Sequence, residues 1–465
     1  MFGVIAMESI VWIAIILVLF AGIIVLNVKF KKNIAFAWRV VISTLIGLAA
    51  GIIYQVMFSG YSADTSALIT SQVTQVTTLI GDGFIALLRM LVVPLVFIAI
   101  LNVIVNQKEQ ANLGKMTIRT VSLFVITVAV AALIGIGLAM AFNLGSGMTL
   151  PVGTEGWAGK EYKGIVDTII GLLPRNPIAA MAEGNVIAVV IFAAFIGIAT
   201  NKVDKKYPEL IAPVKTLITA GFKIMTRLTG MIIQLIPYGV FALMFNLAAT
   251  QGFSTFQEIA TYFVVMLIGL VLLFAVHMII LISRGINPVK FVLNAAPALL
   301  VAFTSSSSFG TLPVTIETLE DRMGVSTGVA NFSASLGSTM GMNACAGLFP
   351  AVLAVMIANM SGVAIDLPFI FLMLVVIVIG SFGIAGIPGT ASIAATVVLG
   401  GLGLPFAPVA LIWPIDPIID MGRTMVNVNG AMVISTVVDK SMGLMDQEKF
   451  NEPNKQKDNE VGAEA

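Results

Sequence analysis

The residues with the clearest chemistry lie near the C-terminal end of the chain, in the run Ile412-Trp413-Pro414-Ile415-Asp416-Pro417-Ile418-Ile419-Asp420-Met421-Gly422-Arg423-Thr424-Met425-Val426-Asn427-Val428-Asn429-Gly430. Asp416, Asp420, Arg423, Thr424 and Asn427 recur at spacings of three and four, which puts them on one face of a helix. A carboxylate on that face can hold an ammonium. A guanidinium one turn away can hold a carboxylate through two parallel hydrogen bonds. The combination suits an amino acid as ligand. The alternative is an Asp420–Arg423 ion pair that only stabilises its helix, since buried pairs also occur for structural reasons.

What must position that face is a membrane. Of the 465 residues, 58% are apolar and 11% charged, against about 45–50% and about 25% in soluble domains. Too few charges remain to cover a globular surface, and an all-α polytopic membrane protein is expected. Ionisable groups at membrane depth are costly, so Asp416, Asp420 and Arg423 must face a polar interior or one another. The net charge of +1 comes without a run of five like charges, which argues against nucleic acid as partner. A single cysteine, Cys345, excludes an internal disulfide and any Cys-based zinc cluster, so no resident cofactor is expected.

Polar breaks divide the first part of the chain into apolar segments at about 9 to 27, 35 to 58, 80 to 106, 115 to 143, 165 to 200, 209 to 247 and 255 to 284. The first is too long for a signal-peptide core and lacks a basic flank, so it reads as a retained helix. Alternate loops between these segments carry ten Lys and Arg against two, which places the 28 to 39 loop in the cytoplasm and the N-terminus outside. His277, the only histidine, lies near the cytoplasmic end of its segment and reads as a packed or interfacial residue rather than a proton relay. Residues 441 to 465 are charged and nearly devoid of apolar side chains, a composition that favours disorder.

Beyond Arg284 two apolar stretches are broken at their middles. The first, 287 to 323, is interrupted by Thr304-Ser305-Ser306-Ser307-Ser308-Phe309-Gly310-Thr311-Leu312-Pro313; the second, 365 to 404, by Gly383-Ile384-Ala385-Gly386-Ile387-Pro388-Gly389-Thr390. Non-helical backbone at membrane depth persists only where it lines a cavity or is buried in protein. Paired broken segments in matching positions point to a transporter's midplane site, so two re-entrant helical hairpins and inverted repeats are expected. Close helix packing by small residues is the plainer alternative.

From about Ala35 to Lys440 the chain resembles the dicarboxylate/amino acid:cation symporters, the glutamate-transporter homologues. The matching motifs are the serine tip with Gly310-Thr311-Leu312-Pro313-Val314-Thr315, the Gly386-Ile387-Pro388-Gly389 tip, and Asp420-Met421-Gly422-Arg423-Thr424-Met425-Val426-Asn427-Val428. The resemblance implies a homotrimer with an extra N-terminal helix and basic loop (1–34), a scaffold (35–114 and 144–254) and a transport domain (115–143 and 255–440) that moves as an elevator. It also implies that Ser305, Ser306, Ser307, Ser308 and Asn427 hold a substrate carboxylate, Asp420 its ammonium and Arg423 a distal carboxylate, with Thr424 beside them. Ile387, Gly389 and Ala391 would close the second tip.

The departures from that family pattern are informative. Its sodium-dependent members carry Asn-Met-Asp-Gly-Thr where this chain has Gly341-Met342-Asn343-Ala344-Cys345, and a further carboxylate where it has Ala431. Hard cations need oxygen ligands, so losing two carboxylates removes or weakens two sodium sites. One site built on backbone carbonyls near Thr339, Ser381, Phe382 and Ile384 would survive, and the coupling ion is Na+ or H+. The run from Met342 to Gly347 and the helix at 9 to 27 resemble the L-cystine branch of the family, with Cys345 as a small residue lining a widened pocket rather than a redox group. The expectation is a multi-pass cell-membrane symporter importing L-cystine, with the C-terminus cytoplasmic. The alternatives are a glutamate/aspartate:cation symporter, an anion channel and an intramembrane serine hydrolase. The last would need a base near the serines and a nucleophile elbow, neither of which the sequence offers, so no enzyme is expected.

Overall fold

The computed structural model describes residues 7–31, 33–34, 36–58, 61–106, 113–148, 173–183, 186–250, 253–382, 386, 391–413 and 415–452. Every regular element among the described residues is helical. In lipid an apolar run pairs all of its backbone within its own segment only as a helix. Among the described residues six helices are long and apolar enough to cross a membrane, among them α1 (Met7–Lys29), and a bent pair, α7 (Pro208–Ile233) and α8 (Ile236–Thr250), adds a seventh if counted as one span.

The helices pack in two sets. In one, α3 (Ala63–Val105) lies against α6 (Val186–Asp204), α7 and α8, while α2 (Phe36–Phe58) packs along α8 and α1 leans on α3. In the other, α4 (Leu113–Ala141), α9 (Phe253–Ser283), the helices between Pro288 and Gly337 and the turn Asn343–Leu348 pack on the C-terminal helix α16 (Asp416–Ser441), while the helices between Phe349 and Leu402 pack on α4, on that turn and on one another. A short α5 (Pro177–Ala182) precedes α6. Residues 151–172, which include the start of the expected 165 to 200 segment, lie outside the described residues.

The two broken stretches form helix pairs. The first comprises α10 (Pro288–Ser305) and α11 (Ser308–Asp321). Asn287 caps α10 by accepting from the Val289 and Lys290 amides, and Ser306 ends it in the left-handed conformation at φ 50°. Near the open end, the Asn294 amide donates to the Arg322 carbonyl at 2.9 Å, so α11 runs back along α10. After α12 (Thr327–Gly337) a π-helical turn, Asn343–Leu348, leads into α13 (Phe349–Met360). The second pair is α14 (Leu367–Ser381) and α15 (Ala391–Leu402), with Gly380 seated against Val397. Asp366 caps α14 through the Phe369 amide at 2.9 Å.

Two boundaries depart from hydropathy. The stretch Ser59 to Leu79, read as a loop, is helical from Ala63. Its threonines return their hydroxyls to the helix, as Thr74 does to the Thr70 carbonyl at 2.7 Å, or bond across it, as Thr77 does to Asn246. The tail, read as disordered from 441, is ordered through 452. A short helix α17 (Gln447–Asn451) buries Phe450, and the Asp446 amide bonds the Gly324 carbonyl at 2.8 Å. Residues 453–465 lie outside the described residues.

Candidate functional site

The site is built on the first three turns of α16, where the polar face meets the π-helical turn and α13. Arg423 is fully buried there. Its Nη2 lies 2.8 Å from Asp416 Oδ1, an ion contact without hydrogen-bond alignment, and donates to Asp420 Oδ1 at 3.1 Å. The guanidinium sits 4.3 Å from the centre of the Phe349 ring, a cation–π contact that orients it. Two carboxylates therefore share one cation. Arg423 keeps Nε and Nη1 without partners. Buried donors of this strength are rarely left unpaired, so this unpaired edge is the place where an anionic group would be held.

Asn427 faces the same space. Its Oδ1 accepts from the Ala344 amide at 2.8 Å and the Cys345 amide at 3.4 Å, capping the π-helical turn, and its Nδ2 has no partner. Cys345 Sγ lies 3.8 Å from Asp420 Oδ1. Thr424 is buried next to Arg423. The spacing argument thus holds in space: Asp416, Asp420, Arg423 and Asn427 converge, and Cys345 joins them.

The serine tip is organised differently. Ser305 Oγ pairs with Thr311 Oγ1 at 3.2 Å, and Ser307 Oγ accepts from the Gly310 amide at 3.0 Å while donating to the Gly386 carbonyl at 3.2 Å. Ser306 carries the left-handed turn and Ser308 is buried against Gly386. Among the described residues no hydrogen bond joins the tip serines to Asp420, Arg423 or Asn427, so a bound molecule would have to bridge them. The two tips do meet: the Phe309 amide donates to the Gly386 carbonyl at 2.8 Å. Ala391 is buried at the start of α15, whereas Ile384, Ile387 and Gly389 lie outside the described residues.

The residues expected around a sodium ion sit at helix ends, Thr339 just past α12 and Ser381 and Phe382 at the end of α14. Thr339 Oγ1 donates to the Leu336 carbonyl at 3.0 Å and Ser381 Oγ to the Val378 carbonyl at 2.7 Å, so their hydroxyls serve their own helices. What remains is carbonyl oxygen at helix C-termini, hard and with free lone pairs. The adjoining Ser338 carbonyl faces Gly386. Among the described residues no group of three or more His, Cys, Asp and Glu could hold a metal.

Spacing alone did not single out Phe349 under Arg423 or the surroundings of His277. That histidine is fully buried, packed rather than interfacial, with Asn343 Nδ2 at 3.0 Å from Nε2 and Asn429 Nδ2 at 3.0 Å from Nδ1. The sequence signal was a lone histidine in an apolar helix together with unpaired asparagines elsewhere.

The model of the sodium:dicarboxylate symporter family matches residues 36–441. The chain belongs to this family. Similar proteins include L-cystine uptake protein TcyP of Shouchella clausii, 38% identical over 442 residues, covering 92% of this chain and 94% of that protein. Those named L-cystine uptake protein TcyP in Bacillus thuringiensis strain Al Hakam and Bacillus licheniformis are 34% and 36% identical, each over 91% of this chain and 93% of their own length. Membership makes the chain a multi-pass membrane transporter rather than an enzyme, and its fold that of the glutamate transporters.

Proposed function

We propose that this protein imports L-cystine across the cell membrane together with a cation. The observation that carries the reading is the shared pairing of Arg423 with Asp416 and Asp420. It leaves one carboxylate equivalent for an ammonium and an unpaired guanidinium edge for a carboxylate, the two charges of an amino acid. Cystine has two such zwitterionic ends. One would meet Asp420, Asn427 and the serines 305–308, and the other would send its carboxylate to Arg423, with Cys345 leaving room between them. The names of the similar proteins favour cystine over glutamate or aspartate.

The transport cycle is alternating access. Residues 35–114 and 144–254 form the scaffold of a homotrimer, and 115–143 with 255–440 form the domain that carries substrate as an elevator. The separation of helices into two packed sets supports that division. The arms of the second hairpin, 15 and 12 residues, reach about 22 and 18 Å, short of a hydrocarbon core of about 30 Å. They enter and leave from one side, with the second tip as the gate over the substrate. The basic 28 to 39 loop is cytoplasmic, the N-terminus outside and the C-terminus inside. Ions bind as co-substrate, sodium at the helix-end carbonyls of Thr339, Ser381 and Phe382, joined by the backbone carbonyl of Ile384, which lies outside the described residues, being one candidate.

Uptake of labelled cystine into proteoliposomes under imposed sodium or proton gradients tests this. Wild type should accumulate cystine, and Asp420→Ala and Arg423→Ala should not. Glutamate displacing cystine at equal or lower concentration would overturn the substrate, and accumulation under neither gradient would overturn symport.

A further inference from the structure

We propose that His277, clamped between Asn343 and Asn429, binds the proton that travels with the substrate. A buried imidazole needs both ring nitrogens partnered, and here each faces a side-chain amide at 3.0 Å. A neutral ring offers one donor and one acceptor, whereas the protonated ring offers two donors. An asparagine amide meets either demand by a half-turn that swaps its NH2 for its oxygen. Nothing else holds these amides in one orientation, because Oδ1 of Asn343 and Oδ1 of Asn429 both lack a partner. The clamp therefore satisfies both protonation states with two side-chain rotations. The close approach is built in: a Cβ on Gly430 would stand 2.9 Å from His277 Cε1 and from both ends of the Asn343 amide.

The clamp shares two backbone segments with the substrate site. Asn343 opens the π-helical turn whose Ala344 and Cys345 amides bind Asn427, and Asn429 follows Asn427 by two residues. On α9 itself the titratable groups besides His277 are Glu258 and Tyr262; on the elements packed around it they are Cys345 on the π-helical turn, the Asp416–Asp420–Arg423 cluster, Asp439 and Lys440 on α16, the last donating to the Gly285 carbonyl at 2.9 Å, Lys115 and Arg119 on α4, and Lys290 on α10. Arg119 is engaged with Ser441, Asp439 with Ser326 and Lys290 with Asn451, and none of these groups bonds to the ring. The proton enters from the outer side with the substrate, rests on the imidazole during the inward movement and leaves to the cytoplasm, so one positive charge is carried per cycle by this residue.

This inference rests on the import reading above, and its test separates the two. Because the chain has one histidine, ring-15N-histidine labelling of the full-length wild-type protein reports this residue alone, with no variant that could misfold. Addition of cystine at mildly acidic pH should convert the ring signal from neutral imidazole to imidazolium. In proteoliposomes His277→Gln should lose pH-gradient-driven cystine accumulation by at least tenfold and lose cystine-triggered acidification of a trapped dye, while cystine–cystine exchange at equal pH stays within threefold of wild type. A ring that stays neutral with cystine bound, or a His277→Gln protein that still couples to the pH gradient, overturns the proposal. If wild type neither binds nor exchanges cystine, the import reading fails instead.

Discussion

The Phe309 amide donates to the Gly386 carbonyl at 2.8 Å, so the tips of the two hairpins are joined backbone to backbone. The Ser307 hydroxyl adds a second bond to the same carbonyl at 3.2 Å. Gly386 thus serves as the acceptor that closes one tip on the other, and the closure needs no side chain from it.

That contact depends on the absence of a Cβ. One added at Gly386 would press on the Ser338 carbonyl oxygen and stand 2.9 Å from Ser308 Cβ. Gly386→Val should separate the tips and reduce cystine uptake by about tenfold or more, a difference of about 1.4 kcal/mol. Because Gly386 is buried, uptake is compared per folded protein, read from the melting curve of the detergent-solubilised variant. Uptake within twofold of wild type would show that the tip contact is not part of the cycle.

Asp416 and Asp420 compete for Arg423, and this sets a second expectation. In Asp416→Asn the guanidinium loses one anionic partner and draws on Asp420 alone, which withdraws that carboxylate from a substrate ammonium. A charge-assisted hydrogen bond contributes about 1.5–3 kcal/mol, so the Kd for cystine should rise about tenfold to a hundredfold. Equilibrium binding of labelled cystine measures it, and an unchanged Kd would sever Asp416 from the site.

How much of this was legible follows from where the information sits. A helix fixes the phase of its residues, so Asp416, Asp420, Arg423 and Asn427 could be placed on one face from spacing alone. The break at the serine run was legible and falls at Ser306, which takes the left-handed conformation between α10 and α11; apart from Gly386, the Gly-Ile-Pro-Gly run lies outside the described residues. The start of α3 was not legible. Hydropathy scores its threonines as loop, while in the fold Thr70 meets the Tyr54 hydroxyl at 3.0 Å and Thr78 meets Asn246 at 3.1 Å. The His277 clamp joins residues 66 and 152 positions apart, a separation over which no local periodicity carries information.

Asn427 has two duties that one substitution can expose. Its oxygen caps the Ala344 and Cys345 amides, and its buried amide nitrogen has no partner. Asn427→Ala leaves buried amides unpaired, at a cost of about 1–3 kcal/mol, and also removes the donor. A lower melting temperature and weaker cystine binding should therefore appear together. Loss of binding with an unchanged melting temperature would mean that the capping role has been overvalued.

The N-terminal helix offers the converse, a site that should matter to stability and not to transport. Arg39 is buried, with Nη1 bonded to the Asn27 carbonyl at 3.2 Å and to Asn27 Oδ1 at 3.1 Å, and its guanidinium lies 5.4 Å from the Phe36 ring centre. These bonds tie the end of α1 to the start of α2, while Trp12 meets the Tyr54 ring edge-on at 5.1 Å further along. Arg39→Met keeps most of the apolar stem and deletes the bonds, stranding the Asn27 oxygen atoms away from water. Unpaired buried polar groups cost about 1–3 kcal/mol each, so the melting temperature should fall by several degrees. No atom of this contact reaches Arg423 or the hairpin tips, and cystine uptake per folded protein should stay within twofold. A fall in uptake at an unchanged melting temperature would instead place α1 in the transport cycle, through the α3 and α8 faces on which it rests.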